Sequence, residues 1–250
     1  MASKDSLVRG LLVLECFTPN RLSFSLSELS KYLDLPKSSL HRTLKTLFAM
    51  NYLRYEEATK QYFLGTRVLS LGFSVLGSME LREIARPYME KLSRDTNKTV
   101  NLAVFDKDEM VYVERIRVPG IRTFNISIGA RIPLLNTAVG RAVLAYLNSN
   151  ERKVIFAKLK KVKKFNANEM EVNAILSKVK KDGFAINDQV FRKDIIAVAV
   201  PIFSINKVEG AINIILEPED ALNGILQAEY IPKLIAVGKD LSMALGYNNK

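Results

Sequence analysis

Two short amphipathic segments joined by a tight break, at residues 25–51, constrain this chain more than any other feature. The stretch reads SLSELSKYLDLPKSSLHRTLKTLFAMN. Its first helix opens on a capping box, in which the Ser25 hydroxyl accepts from the Glu28 amide and the Glu28 carboxylate reaches back to Ser25. Leu26, Leu29 and Leu33 then share one face. Asp34-Leu35-Pro36 makes the turn, with proline where a new helix can start because its missing N–H is not needed there. At about 100° per residue, Leu40, Leu44 and Leu47 form one stripe of the second helix, with Ser38, His41, Arg42 and Lys45 roughly opposite. A helix anchored by leucines, with hydroxyls and cations on its other side, suits phosphate oxygens and base edges. An ordinary helical hairpin with a solvated basic face would show the same pattern.

The next residues weigh on that choice. Leu53 to Tyr55 and Tyr62 to Leu64 are aromatic and aliphatic runs flanking Glu56-Glu57-Ala58-Thr59-Lys60, which reads as a β-hairpin loop. A helix–turn–helix followed directly by a hairpin is a winged helix, and its wing would bring Arg54 or Lys60 to the phosphate backbone of DNA. Within the groove helix, Arg42 fits either a guanine edge, which its fork binds bidentately, or a phosphate. Ser38 and Ser39 fit phosphate oxygens at the helix N-terminus, although plain capping accounts for one of them equally well. Lys37 and Lys45 read as positioning contacts. His41, the only histidine, can donate to a phosphate. A catalytic histidine would need a nucleophile or carboxylate beside it, and none is suggested.

The chain of 250 residues has room for one large domain or two modest ones, and 48% apolar with 25% charged residues is a soluble, globular composition. It contains no apolar run of about 18 residues, so no membrane span is expected. The N-terminal MASKDSLVRGLLVLECF has Asp5 and Glu15 around its apolar residues, and reads as a helix rather than a signal peptide. One cysteine, Cys16, excludes an internal disulfide and a cysteine-rich metal site. The cytoplasm is the simplest compartment, and no cofactor is expected. A net charge of +11 favours a polyanionic partner, but the excess is spread. Residues 1–77 hold ten Lys/Arg against six Asp/Glu, and the remainder 27 against 20. Much of the latter lies in Lys158, Lys160, Lys161, Lys163, Lys164, Lys178, Lys180 and Lys181, which read as a solvated face or as a second nucleic-acid contact.

Ser6 to Phe17 is apolar on more than one face, through Leu7, Leu11, Leu14, Val8 and Leu12, so this helix would pack on the helix–turn–helix and on a second copy. Two-fold dimers set two groove helices about one helical turn of DNA apart, or multiples of it. Thr66 to Leu76 looks helical despite Gly72 and Gly77, and a linker is placed at about 66–80. A longer helix spans Glu80 to Thr96, with Pro87 near a kink or break. The period then changes. Residues 99–105 and 110–116 alternate as an antiparallel hairpin, and Thr123 to Ile128 reads as a further strand. Helices are expected at Asn136–Leu147, Glu151–Lys160 and Asn168–Lys181, and strands at about 184–191, 195–203 and 210–216. A last helix includes Leu241 and ends at Gly246. The second half is thus an antiparallel sheet with segregated helices, an α+β domain, which divides the chain into residues 1–77 and 78–250.

With those elements in order, the chain resembles the IclR family of transcription regulators over nearly its whole length. The resemblance is carried by LVRGLLVLECF (7–17), LSELSKYLDLPKSSLHRTLKTL (26–47), YFLGTRVLSLG (62–72), LREIARPYMEKLSRDT (81–96), TVNLAVF (99–105), VYVERI (111–116), GARIPLLNTAVGRAVLAYL (129–147), GFAINDQ (183–189) and AVPIF (199–203). It implies an N-terminal winged helix-turn-helix, a linker helix and a C-terminal GAF-like sensing domain. It also implies homodimers through the DNA-binding part, often tetramers through the sensor, a double-stranded DNA operator and a small-molecule effector.

The same resemblance places the effector pocket, and this chain departs from the family there. Leu135-Asn136-Thr137 stands where the family often has His-Ala-Thr/Ser, and Ala138 and Val139 precede Gly140-Arg141 in place of its pocket residues. Its acidic pair becomes Asn187-Asp188, a following cysteine is Ala197, and two serines of the last central strand fall at Ile214 and Leu216. Asn187 and Asp188 read as ligand contacts or as a strand-end turn. Apolar replacements at these positions predict a more apolar effector, aromatic or fatty, because an uncompensated carboxylate is costly to bury. An enzyme is the weaker reading, for want of a Gly-rich phosphate loop, a metal-ligand cluster or a nucleophile–base pair. A ligand-independent DNA-binding protein with a vestigial pocket is the alternative.

Overall fold

The computed structural model describes residues 5–118, 127–161, 168–205 and 207–248. They fall into two compact units, Met1–Ser78 and Met79–Lys250.

The first unit comprises α1 (Ser6–Glu15), β1 (Ser23–Phe24), α2 (Leu26–Leu33), α3 (Lys37–Ala49), β2 (Leu53–Glu56), β3 (Gln61–Leu64) and α4 (Arg67–Gly77). The capping box forms as its sequence predicts. The Glu28 amide donates to Ser25 Oγ at 3.2 Å, and the Ser25 amide to Glu28 Oε2 at 2.7 Å. Hydrogen bonds from the Ser25 backbone and hydroxyl hold the Glu28 carboxyl below its ordinary pKa. Asp34 ends α2 in the left-handed region at φ 52°, and the Ser30 hydroxyl donates to the Leu35 carbonyl at 2.6 Å, fixing the corner. α3 leaves that corner with Leu40 and Leu44 fully buried against Val13, Phe17, Phe24, Leu29 and Leu53, while Leu47 sits at the margin of this core. β1, β3 and β2 form a small antiparallel sheet, with register Leu53↔Leu64 to Glu56↔Gln61 in the wing. α4 runs unbroken through Gly72.

The second unit comprises α5 (Glu80–Thr96), β4 (Thr99–Asp106), β5 (Glu109–Ile116), β6 (Arg131–Pro133), α6 (Ala138–Leu144), α7 (Ser149–Lys161), α8 (Glu169–Asp182), β7 (Ala185–Asp188), β8 (Ile196–Phe203), β9 (Val208–Leu216) and α9 (Ile231–Ala244). Its six strands form one antiparallel sheet in the order β6-β5-β4-β9-β8-β7. On one face Ala103, Ala199 and Ala211 meet Ala142, Val143 and Leu144 of α6, backed by Phe156 and Leu176 of α7 and α8. α9 covers the other face so closely that a Cβ on Gly238 would lie 2.6 Å from Val200 Cγ2. Strand alternation therefore turns Val198 and its cross-strand partner Ile214 toward α9, and Ala197, Ala199, Asn213 and Ile215 toward α6.

Several expectations change here. Residues 123–126 of the strand expected at Thr123–Ile128 lie outside the described residues, as do Lys163 and Lys164, and Ser127 and Ile128 are not in a strand. A short strand stands at Arg131–Pro133 instead, too brief to show alternation. The helix expected from Asn136 starts at Ala138, because Thr137 caps it: its Oγ1 accepts from the Gly140 amide at 3.2 Å. α5 continues through Pro87 without a break in its assignment.

Candidate nucleic-acid interface and small-molecule pocket

α3 carries Lys37, Arg42 and Lys45 and no carboxylate along its whole length. Lys37, Ser38, His41, Arg42 and Lys45 are exposed. Several cations elsewhere in this unit are engaged. Arg21 meets Glu28 at 3.2 Å, Lys60 meets Glu57 at 2.5 Å, and the Arg54 guanidinium lies 3.9 Å over the Phe63 ring. Pro36 caps α3 without a side-chain hydrogen bond, and no acidic residue sits in its first turn. A helix start facing solvent with a lysine in place of an acid opposes the macrodipole, an arrangement that a bound phosphate would reverse. Ser39 is the exception on this face. It is half-buried and its hydroxyl donates to the Pro36 carbonyl at 2.9 Å, which satisfies no helix-start amide, so the capping expected of one serine does not form.

The other side of α3 is tied down by residues that the leucine pattern does not reveal. The Thr43 hydroxyl accepts from Arg9 Nε at 3.0 Å and donates to the Ser39 carbonyl at 3.2 Å, locking α1 to α3. Beside this lock an apolar hollow of about 620 Å³ is lined by Leu7, Leu11 and Leu14 of α1, Leu47 and Met50, and Leu71 of α4. Arg42 and Thr46 also line it.

In the second unit a cavity of about 30 Å³ lies between α6 and the sheet, lined by Tyr112, Ile132, Thr137, Ala138, Val139, Asn187, Phe191, Arg192, Ile195, Ala197, Asn213 and Ile215. The structure brings Ala138, Val139, Asn187 and Ala197 together there. It does not bring Asp188, Ile214 or Leu216. Asp188 is exposed at the end of β7, and its carboxylate accepts from Gln189 Nε2 at 3.0 Å. Ile214 and Leu216 are buried on the α9 face of β9, one residue out of step with the positions that face α6, and a one-residue step turns a strand side chain to the other face. Asn213 and Ile215 occupy the cavity positions instead. Asn187 is spent on structure: its Nδ2 donates to the Asn136 carbonyl at 2.7 Å and its Oδ1 accepts from the Phe191 amide at 3.1 Å.

The lining is therefore less apolar than the family resemblance implies. Tyr112 and Asn213 are polar, almost fully buried and absent from the sequence reading. Asn101 Nδ2 donates to Asn213 Oδ1 at 3.3 Å across β4 and β9. Burial pushes the Tyr112 hydroxyl up to about 12, partly offset by the nearby Arg115 charge and by a hydrogen bond from Asn213. An alternating NLAVF strand was legible, but which of its polar residues would face α6 required the register of β9. α6 itself is seated hard on the chain that follows β6: a Cβ on Gly140 would lie 1.9 Å from the Leu134 carbonyl oxygen.

A helix–turn–helix with a hairpin wing, accompanied by a sheet-and-helix unit with a lined internal cavity, defines the class of two-part, ligand-responsive DNA-binding regulators. Comparison with known proteins makes this specific. The C-terminal model of the bacterial transcriptional regulator IclR matches residues 73–243, and the IclR helix-turn-helix model matches residues 6–57. The chain belongs to the IclR family of transcriptional regulators. Among curated relatives it is 28% identical over 247 residues to the HTH-type transcriptional regulator XynR of Escherichia coli, covering 97% of this chain and 98% of that one. It is 27% identical over 241 residues to the Pca regulon regulatory protein of Pseudomonas putida, covering 94% and 82%. A transcriptional regulator from Rhodococcus sp. RHA1 superposes with a TM-score of 0.80 at 31% identity, over 96% of this chain and 98% of that chain. An IclR homologue from Microbacterium hydrocarbonoxydans, solved with 4-hydroxybenzoate, shares the fold at a TM-score of 0.80 and 20% identity, over 97% and 99%.

Proposed function

We propose that this regulator reads its operator with the outer face of α3, where Lys37 and Ser38 hold phosphates, His41 and Lys45 flank them, and Arg42 contacts a base or the adjoining phosphate. The observation that carries the reading is the run of exposed cations on a helix without a carboxylate. Arg54 and Lys60 of the wing act as secondary phosphate contacts, and each first has to leave Phe63 or Glu57. Leu7, Leu11, Leu69, Leu71, Phe73 and Val75 are exposed on α1 and α4, and supply the apolar face through which a second copy joins. The sensor cavity takes a small organic effector, and ligand burial there changes operator affinity through residues 66–92. The shared fold does accommodate an aromatic compound in the Microbacterium homologue.

Genomic fragments retained by the purified protein, sequenced and retitrated by mobility shift, supply the test. Arg42→Ala weakens the retained site by roughly 1–3 kcal/mol if Arg42 reads a base; an unchanged affinity removes it from the interface. A second reading, ligand-independent DNA binding, is favoured by the cavity itself. About 30 Å³ is far below the several hundred that metabolite pockets occupy. An effector that stabilises the protein and shifts operator affinity decides for sensing.

A further inference from the structure

We propose that a cleft at the open edge of β8, between α9 and the end of α8, is a second small-molecule site that takes an aromatic body bearing one carboxylate, the rings packing beside Tyr247 and the carboxylate meeting Lys239. It goes beyond the sensing role proposed above, because it shares no lining residue with the cavity between α6 and the sheet.

The cleft exists because β7 is shorter than β8. β7 pairs only with Ile196 to Ala199, so from Val200 to Phe203 no strand among the described residues lies on the outer edge of β8. The space left there is about 520 Å³, the size of a metabolite pocket, against about 30 Å³ for the sensor cavity. A peptide strand is a poor occupant for it. Pro201 has no N–H to offer, and the Phe203 amide is spent on Ser242 Oγ at 3.1 Å. The Ser242 proton goes in turn to the Gly238 carbonyl at 2.7 Å.

The walls select the ligand. Tyr146 meets Phe203 edge-on at 4.9 Å, and Phe203 stacks on Tyr247 at 4.9 Å with 24° between the rings. With Val200, Ile235 and Met243 they make an apolar wall rich in ring surface, against which an aromatic body packs. Lys239 is the single charged side chain in the lining. It is exposed and, among the described residues, forms no ion pair. Behind the wall the Lys180 ammonium lies 6.0 Å from the centre of the Tyr146 ring. The carboxylates next in sequence to lining residues, Asp182 and Asp240, do not line the cleft. A carboxylate entering here meets cations and no competing acid, and it keeps part of its hydration because Lys239 faces solvent.

Titration calorimetry on the full chain at pH 7 with β-naphthoate and its neutral counterpart, methyl β-naphthyl ketone, tests this. Naphthoate should bind saturably, with one molecule per chain. Lys239→Glu reverses an exposed charge, so the fold survives it, and it should weaken naphthoate roughly five- to tenfold while the ketone changes less than about twofold. Tyr247→Ala should weaken both probes by roughly three- to tenfold. No saturable naphthoate binding, or a Lys239→Glu variant that loses both probes equally, overturns the proposal. Binding that survives both variants overturns it too, and returns the probe to the sensor cavity, where the sensing reading would gain. Sedimentation in the same buffers covers the remaining occupant: an oligomer that splits when naphthoate is added assigns the cleft to a second copy of the chain and refutes a ligand site.

Discussion

Removing Lys37 and Lys45 together probes the α3 interface without requiring the operator sequence. Both side chains are exposed, so Lys37→Ala/Lys45→Ala should leave stability within about 0.5 kcal/mol. Each phosphate contact contributes about 0.9 to the slope of log K against log salt, so losing two lowers that slope by about 1.8 for every α3 engaged. Raising salt fourfold, from about 50 to 200 mM, then narrows the gap between wild type and variant by roughly twelvefold, and a dimer engaging two copies doubles the slope change. Fluorescence anisotropy on a labelled duplex of arbitrary sequence suffices, because phosphate contacts do not depend on base identity. Lys180→Ala/Lys181→Ala on α8 removes the same charge elsewhere and serves as the control. Equal slopes for wild type and the α3 variant, or a larger loss in the α8 control, would refute the assignment of this face.

Other outcomes follow from the packing and the titrating groups. Leu44 is fully buried beneath α3, so Leu44→Ala should cost roughly 2–5 kcal/mol in urea unfolding of the first unit and weaken all DNA binding with it. Gly140→Ala places a carbon against the Leu134 carbonyl and should destabilise the second unit by roughly 1–3 kcal/mol or more, while DNA binding to arbitrary duplexes survives. Tyr112 has a folded pKa raised from 10.0 to about 12, so its contribution is complete below pH 10 and is lost as pH climbs toward 12. Between those limits wild type should lose up to roughly 2–3 kcal/mol more than Tyr112→Phe, measured by denaturant titration at each pH.

The first unit was legible because its signals are local. The capping box at Ser25, the Asp34-Leu35-Pro36 corner and the leucine stripe of α3 each sit within a few residues of what they determine. The cavity was not legible to the same depth, because its lining depends on which face of β9 meets α6. Ile214 and Leu216 differ from Asn213 and Ile215 by one step of register, and that step puts a side-chain amide into the pocket in place of an aliphatic chain. The ties Arg9–Thr43 and Asn101–Asn213 link residues 34 and 112 positions apart, and no pattern in either segment announces them. β6 spans three residues ending in proline, below the length at which alternation can be read.

Lysine-reactivity footprinting of the full chain, read by mass spectrometry with and without duplex DNA, addresses the α3 face most directly. Lys37 and Lys45 should be protected several-fold by DNA while Lys180 and Lys181 keep their reactivity. Protection of the α8 lysines with Lys37 and Lys45 left reactive would contradict the account.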